Sequence, residues 1–130
     1  MKSNPYEKFF LTGYLALAWM LLLSILIQIF LAGMATFGDP AHWTKHAAFV
    51  HWFEFIPILM LIAAYLGLLP KPLRWQSAGL IVLLLFQYAT AHIPYTGALH
   101  PVIAMLLFWQ TAVVIRKGNE HLRKLQKRRT

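Results

Sequence analysis

The 130-residue sequence contains no cysteine and only four acidic residues, Glu7, Asp39, Glu54 and Glu120. Without thiols the chain forms no disulfide, no thiolate metal site and no thiol nucleophile, so any metal it holds is bound by nitrogen or oxygen. Only Glu54 of the four acids falls inside a long apolar run, which excludes a di-iron carboxylate bundle, a site that takes four such groups. Serine is scarce as well. Ser3, Ser24 and Ser77 have no histidine and acid close by on the same membrane side, which excludes a serine-hydrolase triad. Strand-like alternation, internal repeats and domain-separating linkers are missing too.

What the chain has instead is apolar surface. Hydrophobic residues make up 59% of it and charged residues 12%, with a mean hydropathy of +0.58, more than a soluble domain of this size can bury. A lipid bilayer is the solvent this composition fits. Four apolar runs are long enough to cross ~30 Å of hydrocarbon at ~1.5 Å per residue, at about 9–37, 46–69, 74–92 and 98–116. The first is too long for the apolar stretch of a signal peptide. Asp39 and Pro40 suit the start of the second helix, which extends from Pro40 to Leu69. Pro70 and Pro72 end it, and "IPYTG" ends the third. The expected fold is an all-α, integral membrane, antiparallel four-helix bundle in a single domain, followed by a basic tail over 117–130.

Cations sort by side. Eleven of the twelve flank one face of this arrangement, at the N-terminus, the 70–74 turn and the tail, and Lys45 alone lies on the other. Loops rich in Lys and Arg stay in the cytoplasm, so both termini are expected there, in a bacterial cytoplasmic membrane. The net charge of +8 is then mostly a juxtamembrane tail suited to anionic lipid headgroups. Nucleic acid is not expected as a partner, because no basic stripe interleaved with exposed aromatics is present.

Against this background the histidines stand out. Counted from the cytoplasmic ends at ~1.5 Å per residue, His51 lies roughly 27 Å up its helix, His92 roughly 27 Å and His100 roughly 24 Å, with His46 about 34 Å up. Three helices thus bring imidazoles to one layer near the outer boundary of the hydrocarbon. His42 lies four residues from His46 on the same helix face, further toward water. An aromatic belt of Trp43, Trp52 and Tyr95 accounts for a single interfacial histidine, but not for four from three helices. Ionisable groups at this depth usually mark function.

Three chemistries use such a layer. Haem b takes two neutral imidazoles from opposing helices, and Ala32, Gly33 and Ala35 leave room for a planar macrocycle. His46 and His51, about 140° apart around a helix, cannot both face one iron. A second possibility is a zinc, copper or iron site built on His42 and His46 with His92 or His100, Glu54 orienting a ligand. A third is a proton path or quinone pocket running through Glu54, His51, Gln87 and Gln28, with Pro57 loosening its helix by freeing the Phe53 carbonyl. The cofactor-free alternative is an accessory subunit of a larger membrane complex, in which case no cofactor band exists.

The segments "QIFLAGMATF", His46 with a polar or aromatic residue five later, Gln87 in "LLLFQYATA" and His100 in "ALHPV" resemble an uncharacterised bacterial family of small four-span membrane proteins. That resemblance spans nearly the whole chain and implies a four-helix fold. It singles out Gln28, His46, Gln87 and His100. In architecture alone the chain is similar to small four-helix b-type membrane cytochromes, which implies haem held by histidines of several helices and a redox partner or quinone. The combined expectation is His46 and His100 on the iron of one haem b near the outer surface, supported by His51, His92 and Glu54, with electron transfer as the activity.

Overall fold

The structure, a computed structural model, describes residues 5–127. Five α-helices follow in order: α1 (Pro5–Phe37), α2 (His42–Phe49), α3 (Ile56–Leu66), α4 (Lys71–His92) and α5 (His100–Lys127). α2 and α3 form one column joined by a 3₁₀ turn at Val50–Trp52, so four columns pack in a ring, α1 beside α3 and α5, and α4 beside α3 and α5. Cross-contacts set the directions. Gly67 at the end of α3 meets Phe10 near the start of α1, His121 near the end of α5 bonds Glu7, and Gln87 late in α4 bonds His100 at the start of α5. The bundle is therefore up-down-up-down, and residues 5 and 127 share one end with the α3–α4 turn.

Three stretches, Tyr6–Phe37, His42–Leu66 and Gly97–Lys127, are long and apolar enough to cross a membrane. α4 has 22 residues, about 33 Å of helix, but Lys71, Arg74, Gln76, Gln87 and His92 make it less apolar. Core positions follow helical spacing: Leu11, Tyr14, Ala18, Leu21 and Ile25 on α1, Met60 and Ala64 on α3, Leu73, Ser77, Leu80 and Leu84 on α4, and Leu107, Thr111 and Val114 on α5. The outward face is equally apolar, with Trp19, Phe30, Leu85 and Trp109 exposed, as suits a lipid environment.

The second span is not the continuous helix expected over 40–69. Pro57 has no N–H to give the Phe53 carbonyl, and Ile56 takes that carbonyl instead at 3.0 Å, in a tighter turn. Val50 accepts from both Phe53 and Glu54, and regular helix resumes only at Ile56. Asp39 does not cap α2, which starts at His42 after Ala41 with no side-chain cap bond; its carboxylate instead accepts from the Ala41 N–H at 2.9 Å in the turn before the helix. The basic tail is corrected as well: α5 continues to Lys127, with Gly118 and Leu125 buried and Glu7 bonded to His121 at 2.8 Å. Residues 128–130 lie outside the described residues.

Helix contact depends on small residues at two places, since lipid gives helices no hydrophobic reason to associate. A Cβ on Gly67 would come within 2.4 Å of the Phe10 Cβ, and one on Gly118 within 2.6 Å of Leu15 Cδ2. Gly67 also ends α3, yet the left-handed residue of that ending is Leu68, at φ 51°. Leu69 N–H reaches Ala64 O and Leu68 N–H reaches Tyr65 O, the Schellman pattern. Close packing on Phe10 claims the glycine one position before the turn that ordinarily takes it.

Gly67→Ala should lower bundle stability by about 1–3 kcal/mol, read as an earlier thermal midpoint in detergent. Gly13→Ala, with nothing within 4 Å of the added carbon, should unfold with the parent. Leu68→Gly should raise stability by about 1 kcal/mol by relieving the left-handed residue.

Candidate functional site

At the end of the bundle away from the chain termini, the α4–α5 connection determines where His100 stands. Ile93 N–H closes α4 on Ala89 O, Tyr95 takes a left-handed φ of 65°, and a 3₁₀ turn at Gly97–Leu99 leads into α5. His100, the first residue of α5, comes to rest beside Gln87. Its Nδ1 lies 3.1 Å from the Gln87 carbonyl and 3.2 Å from Thr90 Oγ1. A carbonyl only accepts, so Nδ1 carries the proton and Nε2 keeps its lone pair. The Gln87 side-chain amide donates to that Nε2 at 3.3 Å.

A second histidine–glutamine pair faces the first. His46 Nδ1 lies 3.1 Å from the carbonyl of Gln28 on α1, and the Gln28 amide donates to the His46 carbonyl at 2.8 Å. The same reasoning assigns His46 the Nδ1–H tautomer, leaving Nε2 as an acceptor. The two rings approach with centroids 6.3 Å apart and planes at 60°, and Trp43 meets His46 edge-on at 5.5 Å. Gln28 Oε1 and Gln87 Oε1 are buried without a protein partner. One layer therefore presents His46 Nε2 and two amide oxygens as acceptors without a protein partner, while His100 Nε2 is held by the Gln87 amide.

The other singled-out residues do not join this pair. His51 Nδ1 bonds Glu54 Oε1 at 3.2 Å, with the His51 side chain 65% and Glu54 20% exposed. Tyr88 donates to Glu54 Oε2, and His92, stacked on Tyr88 with centroids 6.4 Å apart, bonds the Tyr88 carbonyl through Nδ1 at 2.8 Å. His51, Glu54, Tyr88 and His92 thus form a separate polar chain between the α2–α3 break and α4. The expected layer of four histidines divides into one facing pair, His46 and His100, and this chain. His42, its Nδ1 buried without a partner, stays on α2. Among the described residues no three His, Asp or Glu side chains stand where one ion reaches them all, so the His42–His46–His92 or His100 metal set is not assembled.

Sequence reasoning passed over Tyr88 and Thr90. Tyr88 is one turn before His92, a spacing that stacks side chains on one helix face, and Thr90 is three beyond Gln87. Both positions were readable as neighbours, but which acid Tyr88 would reach depends on the break at Pro57.

The chain belongs to a family of unknown function (DUF6220), whose model matches residues 28–93, half of the sequence. The match begins at Gln28, takes in His46, His51, Glu54, Gln87 and His92, and stops before His100. It agrees with the expected resemblance to an uncharacterised family. No curated protein and no solved structure matches, so the resemblance to b-type cytochromes finds no support.

Imidazole ¹⁵N spectra of the labelled protein at mildly alkaline pH should show His46 and His100 as neutral Nδ1–H tautomers. An Nε2–H tautomer at either ring would remove one of the two Nε2 acceptors.

Proposed function

We propose that the protein is a redox component of a bacterial cytoplasmic membrane in which His46 and His100 hold the iron of one haem b. The observation that carries this reading is the facing pair of imidazoles with unprotonated Nε2. Their ring centroids lie 6.3 Å apart, close enough for both imidazoles to reach one metal ion through bonds of ~2.0 Å. Nδ1–H bonds to backbone carbonyls are also what metal-bound histidines ordinarily make, because they fix the ring and raise its basicity. The Gln87 amide, now on His100 Nε2, would give up that bond and keep the His100 ring placed through its own carbonyl.

Bound haem supplies one-electron oxidation and reduction. The chain's residues supply two imidazole donors, an apolar surround, and a cation at Lys45 on the same end for a propionate. Electron donor and acceptor are then a quinone or a partner protein outside the chain.

The buried amide oxygens favour a second reading, a quinol-handling pocket. Gln28 Oε1 and Gln87 Oε1 accept from hydroxyls, and the His51–Glu54–Tyr88 chain lies where released protons would need a carrier. Both readings place the chemistry at the outer face and both termini in the cytoplasm, with the basic residues of α5 against anionic headgroups.

Detergent-purified protein, expressed with sufficient haem, should give sharp bands in a dithionite-reduced minus oxidised spectrum. His46→Ala and His100→Ala should each abolish them, and His92→Ala should retain them. A flat spectrum from folded protein rejects haem and directs attention to quinol, tested by titration with a soluble analogue, and then to the accessory-subunit alternative.

Sidedness is readable because the chain has no cysteine of its own. In intact cells a membrane-impermeant maleimide should label Asp39→Cys and Gly97→Cys and leave Gln126→Cys unlabelled until the membrane is opened. The reverse pattern would invert the orientation.

A further inference from the structure

At the end of the bundle that holds the chain termini, a cavity of about 330 Å³ lies between α3 and α4, lined by Leu61, Tyr65, Lys71, Arg74, Trp75 and Ala78. Arg74 is fixed in it. Its Nε donates to the Leu69 carbonyl at 2.8 Å, and its guanidinium carbon lies 5.0 Å from the centre of the Tyr65 ring. Those contacts leave the two terminal nitrogens, the part of the fork that grips a phosphate, without a protein partner among the described residues. Lys71 is exposed beside it.

No acid answers these two charges. Glu7 is bonded to His121, Glu120 to Arg116, and Asp39 and Glu54 belong to the opposite end. The cavity walls change character with depth. Lys71, Arg74, Trp75 and Tyr65 stand near the α3–α4 turn, where amphipathic rings suit the headgroup layer. Leu61 and Ala78 continue one turn further along their helices, toward hydrocarbon.

We propose that this groove is a specific binding site for an anionic phospholipid, its phosphate on Arg74 and Lys71 and an acyl chain along Leu61 and Ala78. Charge complementarity selects the headgroup, as it does in basic pockets between transmembrane helices generally. The apolar lower wall selects a lipid over a free phosphate. The site is separate from the diffuse charge of α5 and independent of any cofactor at the other end.

Purified full-length protein in phosphatidylcholine nanodiscs, titrated with phosphatidylglycerol, tests it by thermal midpoint and by lipid retention in native mass spectrometry. Phosphatidylglycerol should raise the midpoint and remain bound at one copy per chain. Lys71→Gln and Arg74→Gln should each weaken retention roughly fivefold, as expected for one cation near a membrane surface. Arg123→Gln, a tail cation, should leave it unchanged. Lys71 is exposed and makes no contact that folding needs, so its variant decides the matter even if Arg74→Gln misfolds. Equal retention of phosphatidylcholine, equal loss in Arg123→Gln, or the same stabilisation by inorganic phosphate alone would each overturn the proposal. So would occupation of the groove by a second copy of the chain, seen as a lipid-independent dimer lost in Lys71→Gln.

Discussion

Hydrocarbon gives a polar group nothing to bond to, and that constraint decides where almost every polar side chain of this bundle goes. An unmade hydrogen bond in such a medium costs several kcal/mol, far more than a formed one returns in water. Tyr14 therefore reaches from α1 to Ser77 and the Leu73 carbonyl of α4, at 2.9 and 3.1 Å, and Ser77 itself returns to Leu73 O. Thr111 bonds back to Leu107, and Thr90 to Phe86. Five of the six histidines obey the same rule, choosing a backbone carbonyl or a carboxylate within reach, and His42 is the exception. Their tautomers follow from that choice, so the chemistry open to His46 and His100 is set by the solvent around the bundle as much as by the imidazoles.

The two ends of the bundle solve different problems. At the end holding the termini, polar groups pair with opposite charge or lie at headgroup depth: Glu7 with His121, Arg116 with Glu120, Arg74 against Tyr65. The other end holds imidazoles, amides and the single carboxylate of Glu54 in hydrogen-bonded groups between helices, with Pro57 and the α4–α5 turn interrupting regular helix beside them. Irregular backbone at membrane depth is tolerated where protein covers it. The break at Pro57 leaves Phe53 buried while turning Glu54 toward Tyr88, an aim that a continuous helix would not give it.

Much of this was readable from residues alone. Run lengths and prolines located four columns, while it was the family resemblance that singled out His46, His100, Gln28 and Gln87 among the polar positions. Depth counting, however, measures only one axis. It put His51 and His92 at one level, where both do join the chain through Glu54 and Tyr88, and could not tell which way around its helix each one pointed. His92 turned to its own helix, on Tyr88, and His51 to Glu54 three residues on. The α2–α3 break was anticipated only as a loosening, because Pro57 forbids one hydrogen bond without dictating what replaces it. The α5 extension was missed for another reason: a run of lysine and arginine reads as solvated tail, and its helicity depends on Leu125 and His121 packing back on the bundle.

Gln28 and Gln87 bear most directly on whether the His layer exists for folding or for chemistry. If they served only to hold the helices, leucine would do better, since each buried amide leaves Oε1 unpaired at a cost of about 1–3 kcal/mol. Their hydrogen bonds do not offset this by joining helices that would otherwise separate, because α1 meets α2 and α4 meets α5 through many other side chains. What the two residues do accomplish is to place two imidazoles at a separation of 6.3 Å, His46 through the Gln28 backbone carbonyl and His100 through the Gln87 backbone carbonyl and side-chain amide. Gln76 Oε1 and His42 Nδ1 are buried without a partner as well, so what distinguishes Gln28 and Gln87 is that both lie against the same pair of rings, and the proposed binding site rests on that juxtaposition.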